Sequence, residues 1–387
     1  AMTVRMTVPT TVEARVASDA LHRRVRAMIG AFEEGAPSPE SFDALAVDLA
    51  AFQAAHVPGY ARLCAARGVD PRALARAADA PAVPSEAFKL APVFAFDPRD
   101  AAVTAVTFRT SGTTVGARGA HAMRHAATYD AAALAFGKAM FARGLPLGRG
   151  GIPVLVIGPS DAEAPDSSLM HMCALFGRAF GPADDERFFV RDGTLAVDAL
   201  RHRLRSLPRQ VPALVLATSF GLVHWLDGIE GEVIPLPPGS RVMQTGGTKG
   251  RSREVSAAEL RREVARAFDI PERSVVAEYG MTELSSQFWE ATAIDEAAPH
   301  GVYREPPWAR VVPVDPVSLS PMAAGAIGIA RIEDLANVDS AFAVLTQDRV
   351  RRVEAGFELL GRAAGAPPRG CSIALDEMLS SGPRPGS

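Results

Sequence analysis

Between residues 103 and 279 the chain alternates short apolar runs with stretches of helical periodicity, and this alternation restricts it to layered α/β architectures. The run 152–157 (Ile-Pro-Val-Leu-Val-Ile) is flanked by glycine and reads as a strand buried on both faces. Residues 103–108, 213–217, 241–244 and 274–279 read as further strands. Apolar spacing predicts helices over 128–141, 168–176, 194–204, 221–226 and 257–268. Strands and helices of these lengths predict a sheet covered by helices.

The flanks differ. Residues 11–78 carry apolar positions such as Val16, Leu21, Val25, Met28 and Ile29 at helical spacing, interrupted by Pro37 and Pro39. Residues 80–98 contain Pro81, Pro84, Pro92 and Pro98 and read as extended. Beyond Trp308 the strand signals 310–314, 326–331, 342–346 and 357–361 follow one another without long helices. The tail 380–387 is rich in Ser, Gly and Pro and reads as disordered.

Composition excludes several classes. A net charge of −3 gives no bulk attraction to nucleic acid or an anionic membrane. No apolar run is long enough to span a bilayer, and the start of the chain lacks a secretory pattern. Cys64, Cys173 and Cys371 form an odd, sparse set, which points to a reducing compartment and a cytoplasmic location. His171 and Cys173 lack a second ligand pair, and His121 and His125 enclose no acidic residue, so both read as ordinary histidine positions rather than metal sites. Of 41 basic residues only Lys89, Lys138 and Lys249 are lysine, which draws attention to what a compact ammonium does at each.

After the first of these strands comes Arg109-Thr110-Ser111-Gly112-Thr113-Thr114-Val115-Gly116. Glycine frees the backbone to turn its N–H groups toward an anion. The hydroxyls of Thr110, Ser111, Thr113 and Thr114 add donors, and Arg109, Arg118 and Arg124 add charge. This is phosphate-binding chemistry without the Gly-Lys-Ser/Thr ending of a Walker loop. Composition alone fits a polar hairpin turn equally well.

The order of the residues goes further. Thr110 to Thr114 resembles the phosphate loop of the acyl-adenylate-forming superfamily, and Tyr279-Gly280-Met281-Thr282-Glu283 resembles that superfamily's second signature. The resemblance implies that Glu283 holds Mg²⁺ and that Glu278, Tyr279, Gly280, Met281 and Thr282 lie beside the adenylate, with ATP and Mg²⁺ as cofactors. A carboxylate is a natural Mg²⁺ ligand; a helix-terminal acid is the plainer reading of Glu283. One departure is that the loop continues Val115-Gly116-Ala117-Arg118, without the superfamily's lysine.

Leu345-Thr346-Gln347-Asp348 resembles the ribose-binding segment, which implies that Asp348 accepts from ribose hydroxyls, and Gly361-Arg362 resembles the hinge. Larger acid–CoA ligases continue well beyond this point with a lid that carries a late lysine. The chain therefore resembles the acyl-protein synthetases of the LuxE type, through Val83 to Lys89, the phosphate loop, Thr245-Gly246-Gly247-Thr248-Lys249-Gly250, Glu278 to Glu283, and Arg369-Gly370-Cys371-Ser372. It implies an α/β adenylate-forming core over 96–347, a helical N-terminal region over 1–95, and a strongly truncated C-terminal subdomain over 348–387 that carries Cys371 and the tail.

Members of that family pass the acyl group from AMP to their own cysteine, and Cys371 matches it in position. A thiolate beside Arg369 in a mobile glycine-containing loop is expected to have a lowered pKa. On its own, Cys371 reads as a small core residue. Gly246 and Gly247 are expected near the nucleotide. Lys249 and Lys89 are candidates for stabilising the phosphate charge in place of the lid lysine, or are plain loop lysines.

The resemblance thus implies activation of a carboxylic, and for this family fatty, acid as acyl-AMP, then transfer to Cys371 for delivery to a reductase-like or carrier-protein partner. Two alternatives remain: a ligase that transfers to CoA, a carrier protein or an amine, and a non-catalytic adenylate-binding subunit. Phe220, Trp225, Phe288 and Trp289 flank the motifs and either line an acyl pocket or pack the core.

Overall fold

The computed structural model describes residues 11–100, 105–110, 118–148, 150–183, 186–246, 255–363 and 368–380. The chain divides into two compact units. One comprises Ala1–Ala135, Met281–Ser286 and Glu305–Ser387; the other comprises Phe136–Gly280 and Gln287–Arg304.

The second unit holds the alternating segment. Four parallel strands, Val154–Ile157, Leu214–Thr218, Arg241–Thr245 and Val275–Tyr279, lie side by side in chain order. Phe288–Glu290 then pairs antiparallel with Val275–Tyr279, and Val302–Arg304 pairs antiparallel with Phe288–Glu290. Leu155, Ile157, Val215, Ala217 and Val242 are buried in one core with Leu200, Leu204, Leu222, Trp225, Val264 and Phe268 from helices Val197–Arg205, Ser219–Gly228 and Ala257–Phe268. Val154, Val156, Leu214, Leu216, Met243 and Val276, which alternate with these, are buried as well. Burial of both faces is why these strands are continuous apolar runs rather than alternating ones.

The helix over 257–268 falls where expected because its ends are chemically marked. Ser256 caps it by accepting from the Glu259 N–H, and Asp269 leaves it in the left-handed conformation. The expected helix over 194–204 starts later, at Val197. Asp192 and Gly193 take positive φ values of 50° and 74°, and this turn folds Thr194–Leu195 back against Val190–Arg191 as a two-stranded ribbon.

The first unit contains helices Val12–Glu34, Phe42–His56 and Pro58–Ala66 and an antiparallel meander of Ala309–Val314, Ile327–Asp334, Ala343–Val353 and Gly356–Arg362. The third meander strand changes partner along its length. Its end, from Asp348 onward, pairs with Gly356–Arg362, whereas Val344 and Leu345 pair in parallel with Val83 and Pro84. The proline-rich stretch over 80–98 is therefore extended only briefly, at Val83–Pro84, before a helical turn at Ala87–Leu90. The segment around Cys371, expected as a mobile loop, is instead the start of helix Arg369–Leu379. Cys371, Ala374 and Met378, three and four residues apart, are buried and give that segment a helical face that packs, so glycine at position 370 does not prevent a helix.

Candidate active site

In the first unit, Val106–Arg109 and Ala120–Met123 pair as an antiparallel hairpin, and Thr110, the first residue of the phosphate-loop candidate, directly follows its first strand. Ser111, Gly112, Thr113 and Thr114 lie outside the described residues. The neck of the hairpin is well defined. The Thr110 N–H donates to the Gly119 carbonyl at 2.9 Å, and the Gly119 N–H donates to Thr110 Oγ1 at 2.9 Å. Arg118 donates to the carbonyls of Thr110 at 2.7 Å and Arg109 at 3.2 Å. A Cβ on Gly119 would lie 3.0 Å from Thr110 Cγ2 and 3.3 Å from Lys89 Cγ. The aliphatic stem of Lys89 thus lies against the neck, although the residue as a whole is exposed.

Lys89 owes that position to the strand Val83–Pro84. The Ser85 N–H continues the pairing by donating to the Leu345 carbonyl at 2.9 Å, and Gln347 donates to the Glu86 carboxylate. The Val83–Lys89 motif is thereby fixed beside Thr346–Asp348. Asp348 is buried, its N–H donates to Thr346 Oγ1 at 3.0 Å, and its carboxylate accepts from Arg362 Nε at 3.2 Å. Arg362 is largely exposed, so this pair contributes little to stability and leaves the guanidinium available.

Glu283 sits in a turn closed by the Leu284 N–H donating to the Met281 carbonyl at 3.1 Å. Its carboxyl is buried, and burial pushes its pKa up to about 7; its own N–H and the charges of Arg362 and Lys89 oppose that rise, and Glu86 adds to it. The turn leaves the carbonyls of Thr282 and Glu283 without a partner of its own. His121 Nδ1 takes the first at 2.8 Å, and Asn337 Nδ2 takes the second at 2.9 Å. A carbonyl only accepts, so His121 carries its proton on Nδ1. Burial holds this ring neutral, with a pKa lowered to about 4. His121 is therefore a packed histidine with a defined hydrogen-bonding role.

Cys371 is buried at the start of its helix, 1 % exposed, with Sγ 3.9 Å from the Thr346 carbonyl. Burial, with the negative charge of Glu86 second, pushes its pKa up to about 12, whereas Arg369 is exposed. The expected lowering of this pKa is corrected: desolvation outweighs any help from a cation out in solvent.

In the second unit, Thr218, Thr245 and Glu278 lie in one row at the C-terminal ends of the parallel strands. That edge is where ligands bind in open α/β sheets. Thr245 Oγ1 donates to the Glu278 carboxylate, and Ser219 Oγ donates to the Gly246 carbonyl at 2.7 Å. Gly246 turns with φ of 72°, which suits glycine. Glu278 is buried and its pKa is pushed up to about 7 by desolvation, with the Thr245 hydrogen bond opposing. A Cβ on Gly280 would lie 2.6 Å from Glu278 Oε1. Tyr279 is buried, its ring 5.9 Å from Phe288 and 6.1 Å from Tyr303. Gly247 and Lys249 lie outside the described residues. Trp225, Phe288 and Trp289 are fully buried core residues, and only Phe220 of the four aromatic candidates is partly exposed.

Sequence reasoning missed Glu86, Asp334 and Asn337, and gave His121 no role at the turn. The Asp334 carboxylate accepts from the N–H groups of Ser285, Ser286 and Ala336 and from Ser286 Oγ, at 2.7–3.0 Å. The available signal was the segment Asp334 to Ser340, in which Asp334, Asn337, Asp339 and Ser340 are interspersed with apolar Leu335, Ala336 and Val338, and which is buried throughout.

No protein-family model matches the sequence, and no curated protein matches it. Among solved structures, the chain is similar to 2-hydroxyisobutyryl-CoA ligase in an open conformation in complex with 2-HIB-AMP and CoA. The identity is 14 % and the TM-score 0.55, over 83 % of this chain and 69 % of that one. The same ligase in the postadenylation state with R3-HIB-AMP matches at 14 % identity and a TM-score of 0.52, over 83 % and 67 %. ATP-bound MatB from Rhodopseudomonas palustris matches at 16 % identity and a TM-score of 0.48, over 66 % of this chain and 47 % of that one, so the chain spans about half of MatB's length. No helix of the described residues is long and apolar enough to cross a membrane. The fold is the α/β fold of the adenylate-forming ligase core.

Proposed function

We propose that this chain activates a carboxylic acid with ATP as its acyl-adenylate. The observation that carries the reading is the buried Glu283 carboxylate, which lies on the turn of the second signature within electrostatic reach of Lys89 and Arg362. The acid carboxylate attacks the α-phosphorus, the bond to the bridging oxygen of pyrophosphate breaks, and acyl-AMP and pyrophosphate result. Thr110 to Thr114, Gly246, Gly247 and the segment Glu278 to Thr282 are the proposed nucleotide contacts, with Asp348 toward ribose and Arg362 toward phosphate. Lys89 and Lys249 are the proposed cations for developing phosphate charge.

The donor set fits Mg²⁺. One buried carboxylate suffices, because Mg²⁺ commonly takes one or two carboxylates with phosphate oxygens and water. Bound to Glu283, it would offset charge on the phosphates.

The Val83–Lys89 segment and Cys371 support a LuxE-type synthetase that then carries its product as a thioester, with a fatty acid as substrate and a reductase-like or carrier-protein partner. The burial of Cys371 favours a second reading, direct transfer of the acyl group to an external acceptor such as CoA, a carrier protein or an amine, because self-acylation requires helix Arg369–Leu379 to move away first. Acid-dependent exchange of pyrophosphate into ATP, measured over a panel of acids, tests activation; no exchange with any acid would overturn it. Intact-mass analysis of the same mixtures separates the two fates. A covalent acyl adduct lost in Cys371→Ala supports the thioester, and transfer to an added acceptor that survives in Cys371→Ala supports the external route.

A further inference from the structure

We infer that His121 and Asn337 are positioning residues that set the direction of the Glu283 carboxylate by clamping the two free carbonyls of its turn. The inference rests on the proposed role of Glu283.

The turn Met281–Leu284 has one hydrogen bond of its own, which uses the Met281 carbonyl. Its donor, the Leu284 N–H, ties the Glu283–Leu284 peptide plane on one side only, and the Thr282–Glu283 plane carries no bond of the turn, so both can tilt and with them the Cα–Cβ direction of Glu283. The structure removes that freedom at both planes. His121 Nδ1 holds the Thr282 carbonyl at 2.8 Å, and Asn337 Nδ2 holds the Glu283 carbonyl at 2.9 Å.

Both clamps are themselves held. His121 is 1 % exposed, on strand Ala120–Met123, with Phe88 edge-on at 5.9 Å. Asn337 is 1 % exposed, donates also to the Ala341 carbonyl at 3.0 Å and accepts from Ser285 Oγ at 2.7 Å. Its own backbone carbonyl accepts from Gln53 Nε2 at 2.8 Å. A ligand held by groups that are fixed in turn is the arrangement by which outer partners tune metal affinity. The residues come from three distant stretches of the chain, so the clamp is a product of the fold and not of local turn chemistry.

The test is Mn²⁺ binding to the full chain with ATP, followed by electron paramagnetic resonance, with Mn²⁺ standing for Mg²⁺. His121→Leu and Asn337→Ala should raise the Mn²⁺ dissociation constant about 10-fold or more. His121→Asn, whose amide nitrogen replaces Nδ1, should stay within about 2-fold of the wild type. Should the first two variants not fold, His121→Asn and His121→Gln decide, because Gln carries its donor one methylene too far. Weaker binding by Gln than by Asn supports the clamp. Folded His121→Leu and Asn337→Ala variants with wild-type affinity, or equal affinity of the Asn and Gln variants, would overturn it. Absence of ATP-dependent Mn²⁺ binding by the wild type would overturn the proposed function, and the inference with it.

Discussion

The hydroxyl of Thr245 donates to the carboxylate of Glu278 across two neighbouring parallel strands, and both side chains are buried. One neutral hydrogen bond does not replace the hydration of an ionised carboxylate, so the Glu278 pKa rises from 4.5 to about 7. The folded state then holds this proton more tightly than the unfolded state. The associated stability is present below pH 4.5 and is lost as pH rises to about 7. Glu278→Gln, which stays neutral, should therefore be more stable than the wild type at pH 8, by roughly 1–3 kcal/mol. The gain should vanish near pH 4.5. Urea titrations at the two pH values measure it, and a gain independent of pH would refute the account.

Gly280 is close-packed against that same carboxylate. A Cβ there would come within 2.6 Å of Glu278 Oε1. Gly280→Ala should cost about 1–3 kcal/mol. The cost should fall by more than half in a Glu278→Ala background, where nothing is left to collide. Equal cost in both backgrounds would place the strain elsewhere.

Arg261 and Glu290 form a buried ion pair at 2.7 Å, and Glu290 also accepts from the Ala277 N–H at 2.9 Å and from the Gly301 N–H at 2.5 Å. Removing one charge strands the other. Arg261→Met should cost about 3–5 kcal/mol in denaturant unfolding. A loss under about 1 kcal/mol would show that water reaches Glu290.

Cys371 should resist alkylation. In the native protein at pH 8, iodoacetamide should leave it unmodified under conditions that label an exposed thiol fully, and denaturant should release it. Helix Arg369–Leu379 is held by Arg62 Nε donating to the Met378 carbonyl at 2.8 Å and by the Arg67–Glu377 ion pair at 2.6 Å. Arg62→Ala with Arg67→Ala should therefore speed labelling at Cys371. Peptide mapping by mass spectrometry reads the outcome, and rapid labelling of the wild type would refute the buried placement.

Much of the fold was legible because local chemistry marks it. Ser256 and Asp269 bound a helix, and the buried runs ending at Ile157 and Tyr279 are strands because both faces of their sheet are covered. Thr194 and Leu195 escaped because a left-handed turn at Asp192–Gly193 overrides their helical pattern. Cys371 was misplaced because burial depends on distant residues such as Gly59 and Arg62 that no local window contains. The same holds for the Glu283 turn. Its signature is local, but the groups that hold it, His121, Asp334 and Asn337, lie far along the chain and carry no motif of their own.

The change of partner along strand Ala343–Val353 also has a consequence for biosynthesis. Glu86 and Gln347, which meet there, are 261 residues apart in the chain. Val83 and Pro84 are made long before their pairing partners Val344 and Leu345. The ordering of Glu86 and Lys89 through this pairing therefore has to wait until Leu345 has been made. Such long-range closures fold slowly, so a nascent chain halted before Leu345 has no means of assembling this edge, however complete its other elements are.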